Sequence, residues 1–283
     1  MSHRQIERAA SVGGERARPE RAREHARELL DPVGLRTLFV KEVRRFTKVW
    51  LQTVLTPLLT TSLYFLVFGM ALGSRLREVH GLPYMQFVVP GLMMLSMIHN
   101  SFLNTASSLF QSRINGTIVD LLVAPLGTLE ILLAYVGAAM LRALLVGSLV
   151  YLVSCLFLGF ELPVHLGWTL YFALTVTATF ALVGLLTALW AEKYDHLALV
   201  PNFFLVPMTF LGGVFYSVDM LPEPWRSVSR LNPVLYTVDG LRYGVLGVAD
   251  GDVTRSALAV AVLLLALTAW TALLLSRGYK LRA

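Results

Sequence analysis

Six stretches of the sequence, approximately 51–73, 87–111, 131–160, 167–190, 197–216 and 254–276, stay apolar for about twenty residues or more. Roughly 20 helical residues cross roughly 30 Å of hydrocarbon, so each stretch is long enough to span a bilayer. Only the third carries a charge within it, Arg142, and the sixth has Arg255 at its entrance. The segment before them has another rhythm. From Leu35 to Trp50 the apolar residues Phe39, Val43, Phe46 and Trp50 recur at steps of four, three and four, with Arg36, Lys41, Arg44, Arg45 and Lys48 on the other faces. This period predicts an amphipathic helix over 32–50, lying along a membrane surface with its cations near anionic headgroups, or else the polar flank of the first span. Together the patterns predict an all-α polytopic membrane protein with six transmembrane helices and an N-terminal interfacial helix.

Composition supports this and leaves little room for a soluble domain: 56% of the 283 residues are hydrophobic and 15% charged. The net charge of +6 does not mark a nucleic-acid partner, because residues 1–31 hold seven Arg against six acids and read as a mixed-charge, disordered cytoplasmic tail. The first 30 residues contain no apolar core of signal-peptide kind, so the first span is expected to act as the insertion signal. A single cysteine, Cys155, offers neither a disulfide nor a metal site and is expected to be a small buried apolar residue.

Orientation follows from the loop cations. With both termini cytoplasmic, seventeen Lys and Arg lie inside and five outside, the five being Arg75, Arg77, Arg226, Arg230 and Arg242. Setting aside the first 31 residues still leaves ten against five. The punctuated passage NGTIVDLLVAPLGTLEILL, Asn115 to Leu133, is then the first cytoplasmic loop, and AEKYDH at Ala191 to His196 the second. The outer segment Ser217 to Val253 is too semipolar for a span, yet its YTVDGLRYGVLGV is too apolar for a free loop. Short re-entrant helices between spans five and six are expected there, since irregular backbone at that depth must be shielded by protein.

No catalytic signature is present. There is no G-x-x-x-x-G-K-[ST], no H-E-x-x-H and no G-x-S-x-G, and the six His, at 3, 25, 80, 99, 165 and 196, have no ligand-like spacing, so no metal site is expected. Polar side chains inside spans are the remaining candidates, because burying them in hydrocarbon is costly. In the second span Ser96, Asn100, Asn104, Ser107 and Gln111 step along one helical face, with His99 beside them; they line a substrate path or join helices to one another. Arg142 pairs with a polar group or lipid headgroup at a cavity wall, or serves as a structural anchor. Thr53, Thr56 and Thr60 read as packing residues bonded to their own backbone.

The combination of a basic entry helix, six spans, GTIVDLLVAPLGTLEILL after span two and FLGGVFYSVDMLPEPWRSVSRLNPVLYTVDGLRYG after span five resembles the membrane subunits of type-2 ABC exporters (the ABC-2 permease family). Within them it resembles the YadH-like inner-membrane permeases, whose YMQFVVPGLMM, LLVAPL and LGGVFYS stretches read almost alike. The resemblance covers roughly 35–283 and implies a connecting helix at 32–50 and a type-2 ABC transmembrane domain over 51–283.

It further implies a permease subunit, not an enzyme, in the bacterial cytoplasmic (inner) membrane. Such a subunit pairs with a second copy of itself and with two copies of a separate ABC ATPase, which bind the ATP and Mg; this chain itself holds no cofactor. The loop after span two is then a coupling helix seated on the ATPase: Gly116 and Thr117 start it, Asp120, Leu121, Leu122 and Val123 form its contact surface, and Ala124 and Pro125 end it. Physically, Pro125 forces a stop, the residue before it is pushed out of helix, and Gly127 permits the turn back. Where that family carries an acid directly after its Gly-Thr-Leu, this chain has Val119 and places its acid at Asp120. The resemblance also puts Arg44 and Arg45 on the ATPase side. It sets Gly212, Gly213, Phe215 and Tyr216 at the outer end of span five, as an outer gate or as interfacial aromatic anchors. The implied cargo is amphipathic: a drug-like molecule, a lipid or a lipid-linked glycan. Two rivals remain, an ion-gradient-driven secondary transporter, which needs an acid inside a span, and a non-transporting membrane scaffold.

Overall fold

The computed structural model describes residues 31–71, 78–159 and 162–279. The tail expected at 1–31 falls outside the described residues except for Asp31, as do Arg75, Arg77, Lys280, Arg282 and the last residues of the first and third expected spans.

Helix α1, Pro32–Thr47, starts where its sequence says it should: the Asp31 carboxylate accepts from the Val33 N–H at 2.9 Å, and Pro32 fills the first turn, where a missing N–H costs nothing. Helix α2 follows as Trp50–Ala71. A two-residue hairpin, β1 Glu78–Val79 and β2 Leu82–Pro83, turns through His80 and Gly81, both at positive φ. It leads into α3, Tyr84–Ile114, then the short α4, Ile118–Val123, and α5, Thr128–Leu158. At about 1.5 Å per residue, the 31 residues of α3 and of α5 reach about 46 Å, so both project beyond the hydrocarbon. Helix α6 is Leu166–Trp190. The chain continues through α7, Tyr194–Val200, a π turn at Pro201–Leu205, α8, Val206–Phe210, and a 3-10 turn at Val218–Met220. It ends with α9, Trp225–Arg230, α10, Pro233–Leu246, and α11, Val253–Ser276.

Helices α3 and α6 form the centre, flanked by α5, α10 and α11. Their contact depends on a missing side chain: a Cβ on Gly184 would fall 2.2 Å from Thr105 Oγ1 and 2.4 Å from the Phe102 carbonyl oxygen. At this close approach Thr105 Oγ1 donates to the Ala181 carbonyl at 2.7 Å, the small-residue and hydroxyl packing expected where lipid gives no hydrophobic drive between helices. Helices α2 and α11 are peripheral, with few of their side chains buried, so their apolar sides face outward.

Five helices, α2, α3, α5, α6 and α11, are long and apolar enough to cross a membrane, among the described residues. The span expected at 197–216 is not a sixth of this kind. Pro201 and Pro207 each remove a backbone donor, the ladder slips into a π turn between them, and the helix stops at Phe210. The amphipathic helix also differs from its expected register. Its buried face is Leu38, Glu42 and Phe46, seated on α5, while Phe39 and Val43 are half-buried and Trp50, at the head of α2, is exposed. Packing against protein thus takes part of the face assigned to lipid. Cys155, expected buried, is half-buried.

Candidate functional site

The polar stripe of the second span divides into two parts. Its lower part meets α1. Arg45 donates to the Asn104 carbonyl at 2.7 Å and to Asn104 Oδ1 at 3.0 Å, with a longer bond of 3.4 Å to Ser107 Oγ. Glu42, 1% exposed, accepts from Ser108 Oγ at 2.6 Å and from Arg45 Nε at 3.1 Å. Arg142 reaches the same Asn104 Oδ1 from α5 at 3.4 Å. Two guanidinium groups therefore converge on one amide, and one of them also holds a buried carboxylate. The sequence separated these residues into ATPase-side and substrate-path candidates; the fold makes Arg45, Asn104, Ser107 and Arg142 one cluster. Glu42 and Ser108 were missed. The available signal was an acid on the face of α1 that also carries Leu38 and Phe46, four residues away on either side.

The upper part of the stripe, Ser96, His99 and Asn100, lines a cavity of about 370 Å³ between α2 and α3, with Arg142 in its wall. Gln52, Thr56, Thr60, Thr61 and Tyr64 of α2 face it. Thr56 and Thr60 are thus wall residues as well as backbone-bonded ones, Thr60 Oγ1 donating to the Thr56 carbonyl at 2.8 Å. Thr53 is buried and bonds the Val49 carbonyl, as a packing residue does. Gln111, at the end of the stripe, is exposed.

Below this cluster lies the punctuated loop. Gly116 turns the chain out of α3 at φ 73°, where a side chain would be strained, and Ala124 is extended ahead of Pro125. Of the short α4, Ile118 is buried and Leu121 half-buried, whereas Val119, Asp120, Leu122 and Val123 are exposed. Val119, Leu122 and Val123 share one helical face at i, i+3 and i+4 and leave it apolar, 56%, 42% and 78% exposed. Both roots of the loop are fixed. Arg113 donates to the Ala188 and Ala191 carbonyls at 2.6 and 2.9 Å, closing the C-terminus of α6 with a cation. Glu130 accepts from the backbone N–H of Gly127 and of Asp31, binding the start of α5 to the start of α1. Arg44 points into solvent beside Arg36, Lys41 and Lys48 in a basic groove along α1.

At the far end of the cavity Tyr64 packs against Phe215, ring centroids 5.7 Å apart, and Phe215 against Phe210 at 5.6 Å. Gly212 and Gly213 are buried, Gly213 at φ 72°, and Tyr84 Oη donates to the Phe215 carbonyl at 2.9 Å. Tyr216 is half-buried. Behind them lies a charged cluster that the sequence reading missed. Arg242, fully buried, sits 3.9 Å over the Phe87 ring and donates to the Gly213 carbonyl at 2.6 Å. Its partner Asp250, 3.9 Å away, accepts from Ser217 Oγ at 2.7 Å and contacts His80 Nε2 at 2.7 Å. Asp239 accepts from the N–H groups of Asp250 and Gly251 at 2.6 and 3.1 Å; burial pushes its carboxyl above the usual range, and the neighbouring Asp250 charge adds to the effect against those two bonds. The spacing D-x-x-R in an otherwise apolar segment was the signal for Asp239 and Arg242, whereas nothing local marked Asp250 as the partner of Arg242.

Among the described residues no group of His, Cys, Asp and Glu is arranged to hold a metal ion. The description "ABC-2 type transporter" fits residues 34–246, which include the loop, the Arg113 root contact and the cavity. The chain is 43% identical over 256 residues to the inner membrane transport permease YadH of Escherichia coli K12, covering 89% of this chain and 98% of that protein. It is 29% identical over 222 residues to nodulation protein J of Sinorhizobium fredii, covering 74% and 82%, and 29% identical over 202 residues to nodulation protein J of Rhizobium meliloti, covering 71% and 76%. With this match over most of its length, and with its long apolar helices, the chain belongs to the ABC-2 type transporter family, as a membrane-embedded permease subunit.

Proposed function

We propose that this chain is the permease half of an ATP-driven exporter of amphipathic substrates. It sits in a bacterial cytoplasmic membrane with both termini cytoplasmic. Counting the interrupted segment 194–216 as a crossing gives six spans. Two copies pair, and two copies of an ABC ATPase, carrying ATP and Mg, dock on α4. The observation that carries this reading is the exposed apolar face of Val119, Leu122 and Val123. It stands on a tip whose roots are bonded to α6 and α1, so a partner's motion there reaches the helices that wall the cavity. Tyr64 against Phe215 then marks the outward end, where the two halves part to release cargo.

The rivals fit less well. A secondary transporter needs an ionisable acid inside a span. The buried acids Glu42, Glu130 and Asp239 lie on α1, in the first turn of α5 and on α10, and each is engaged by backbone or side-chain donors. A scaffold has no use for a polar-walled cavity between its helices.

The test is co-purification of the full chain with its cognate ABC ATPase, with V119D/L122D as the variant. Two charges on the contact face should cut recovery of the ATPase by about tenfold or more, since each unpaired charge in a buried interface costs on the order of 2 kcal/mol or more. The wild-type complex should weigh as two permeases and two ATPases in native mass spectrometry. Undiminished assembly and ATP hydrolysis in the double variant would remove α4 as the docking site.

A further inference from the structure

The cluster on Asn104 is not charge-balanced. Arg45 and Arg142 bring two permanent positive charges, and Glu42 brings one negative charge that is taken up by Arg45 and Ser108. The surplus lies on Arg142. It makes a long bond of 3.4 Å to Asn104, and its Nε is buried with no hydrogen-bond partner. Arg142 faces the α2–α3 cavity, whose wall among the described residues includes no carboxylate. A guanidinium with surplus charge in such a wall is a site for an anion, and its planar fork suits the paired oxygens of a phosphate, sulfate or carboxylate.

The position of the charge says more. Arg45 on α1 and Arg142 on α5 share one amide oxygen, so Arg142 lies at the level of α1. The exposed cations of α1, Arg36, Lys41, Arg44 and Lys48, place that helix at a membrane–water boundary. From Gln52 to Tyr64 the cavity then rises about 18 Å along α2, at about 1.5 Å per residue, into hydrocarbon depth.

We propose that this cavity takes amphiphiles by an anionic head, which pairs with Arg142 at headgroup level while the rest of the molecule extends along α2 toward Tyr64. This rests on the permease reading and narrows its substrate class to acidic amphiphiles.

The experiment measures binding to the purified full-length chain in nanodiscs of phosphatidylcholine alone, so that no competing acidic lipid is present. The probes are short-chain phosphatidic acid, the diacylglycerol with the same chains, and inorganic phosphate. Phosphatidic acid should bind at least tenfold more tightly than diacylglycerol, and tenfold more tightly than phosphate. R142Q should lose about tenfold for phosphatidic acid, and R142K should recover most of that loss. Equal binding of the acidic and neutral lipids overturns the proposal, and this comparison on the wild-type chain holds even if R142Q fails to fold. Phosphate binding as tightly as phosphatidic acid leaves a free-anion site and also overturns it. An R142Q chain that folds and binds phosphatidic acid unchanged removes Arg142 from the site. Arg142-dependent binding in a chain that recruits no ATPase would instead sink the permease reading and leave the site standing.

Discussion

Asn104 is the residue on which the inner half of the molecule converges, since its one side-chain oxygen serves both Arg45 and Arg142. Among the described residues Glu42 supplies the carboxylate bonded to Arg45 and Ser108 beside it, so E42Q should lower the thermal stability of the detergent-solubilised chain by about 1–3 kcal/mol. The partial exposure of Arg45 keeps the effect toward the lower figure. An unchanged melting temperature would mean that the Glu42 contacts add nothing to stability. Asp239 offers a test with a sign. Its folded-state pKa is raised by burial, so the stabilising term is complete below the unfolded value and fades as pH rises through the folded value. Asn carries no such term. The difference in melting temperature, D239N minus wild type, should therefore rise as pH climbs above about 4, the unfolded carboxylate value, and a flat difference would show that Asp239 titrates alike in both states.

At the scale of elements, the long apolar runs were legible because twenty uncharged residues admit few alternatives in a bilayer. Helices α2, α3, α5, α6 and α11 stand within a few residues of their expected bounds. The interruption of the fifth run was not legible because hydropathy does not register backbone donors: its composition is as apolar as its neighbours', and two prolines break its helical ladder. Helix α1 was recognisable from its period, but which face it buries depends on Ser108 of another helix meeting Glu42, a contact 66 residues apart that no local pattern encodes. The polar stripe was visible at helical spacing, whereas its division between cavity and α1 was not. The α3–α6 pair gives the element-scale prediction. G184A places a methyl group against Thr105 Oγ1 and the Phe102 carbonyl, which must move apart, and should destabilise the chain by about 1–3 kcal/mol, read as a lower melting temperature. An unaffected G184A would show that α3 and α6 can separate freely.

At the scale of the whole molecule, the described parts form one connected column. The α4 tip stands at one end, the Asn104 cluster and the cavity follow, and Tyr64 and Phe215 close the other end, backed by Arg242 and Asp250. The sequence and the resemblance suggested roles for the tip, the polar stripe and the outer aromatics, but not for the Arg242–Asp250 cluster. Their physical continuity appears only in three dimensions, because the joining side chains, Arg45, Arg113, Glu130 and Tyr64, each bridge helices distant in sequence.

The two fixed roots of the loop determine how the molecule can answer a load. Arg113 makes the end of α3 and the end of α6 one body, and Glu130 makes the start of α5 and the start of α1 another. On the proposed docking at α4, a load on the tip would enter both bodies through these roots. Asn104 of the first body meets Arg45 and Arg142 of the second, so that amide would be one joint across which a partner's motion is shared.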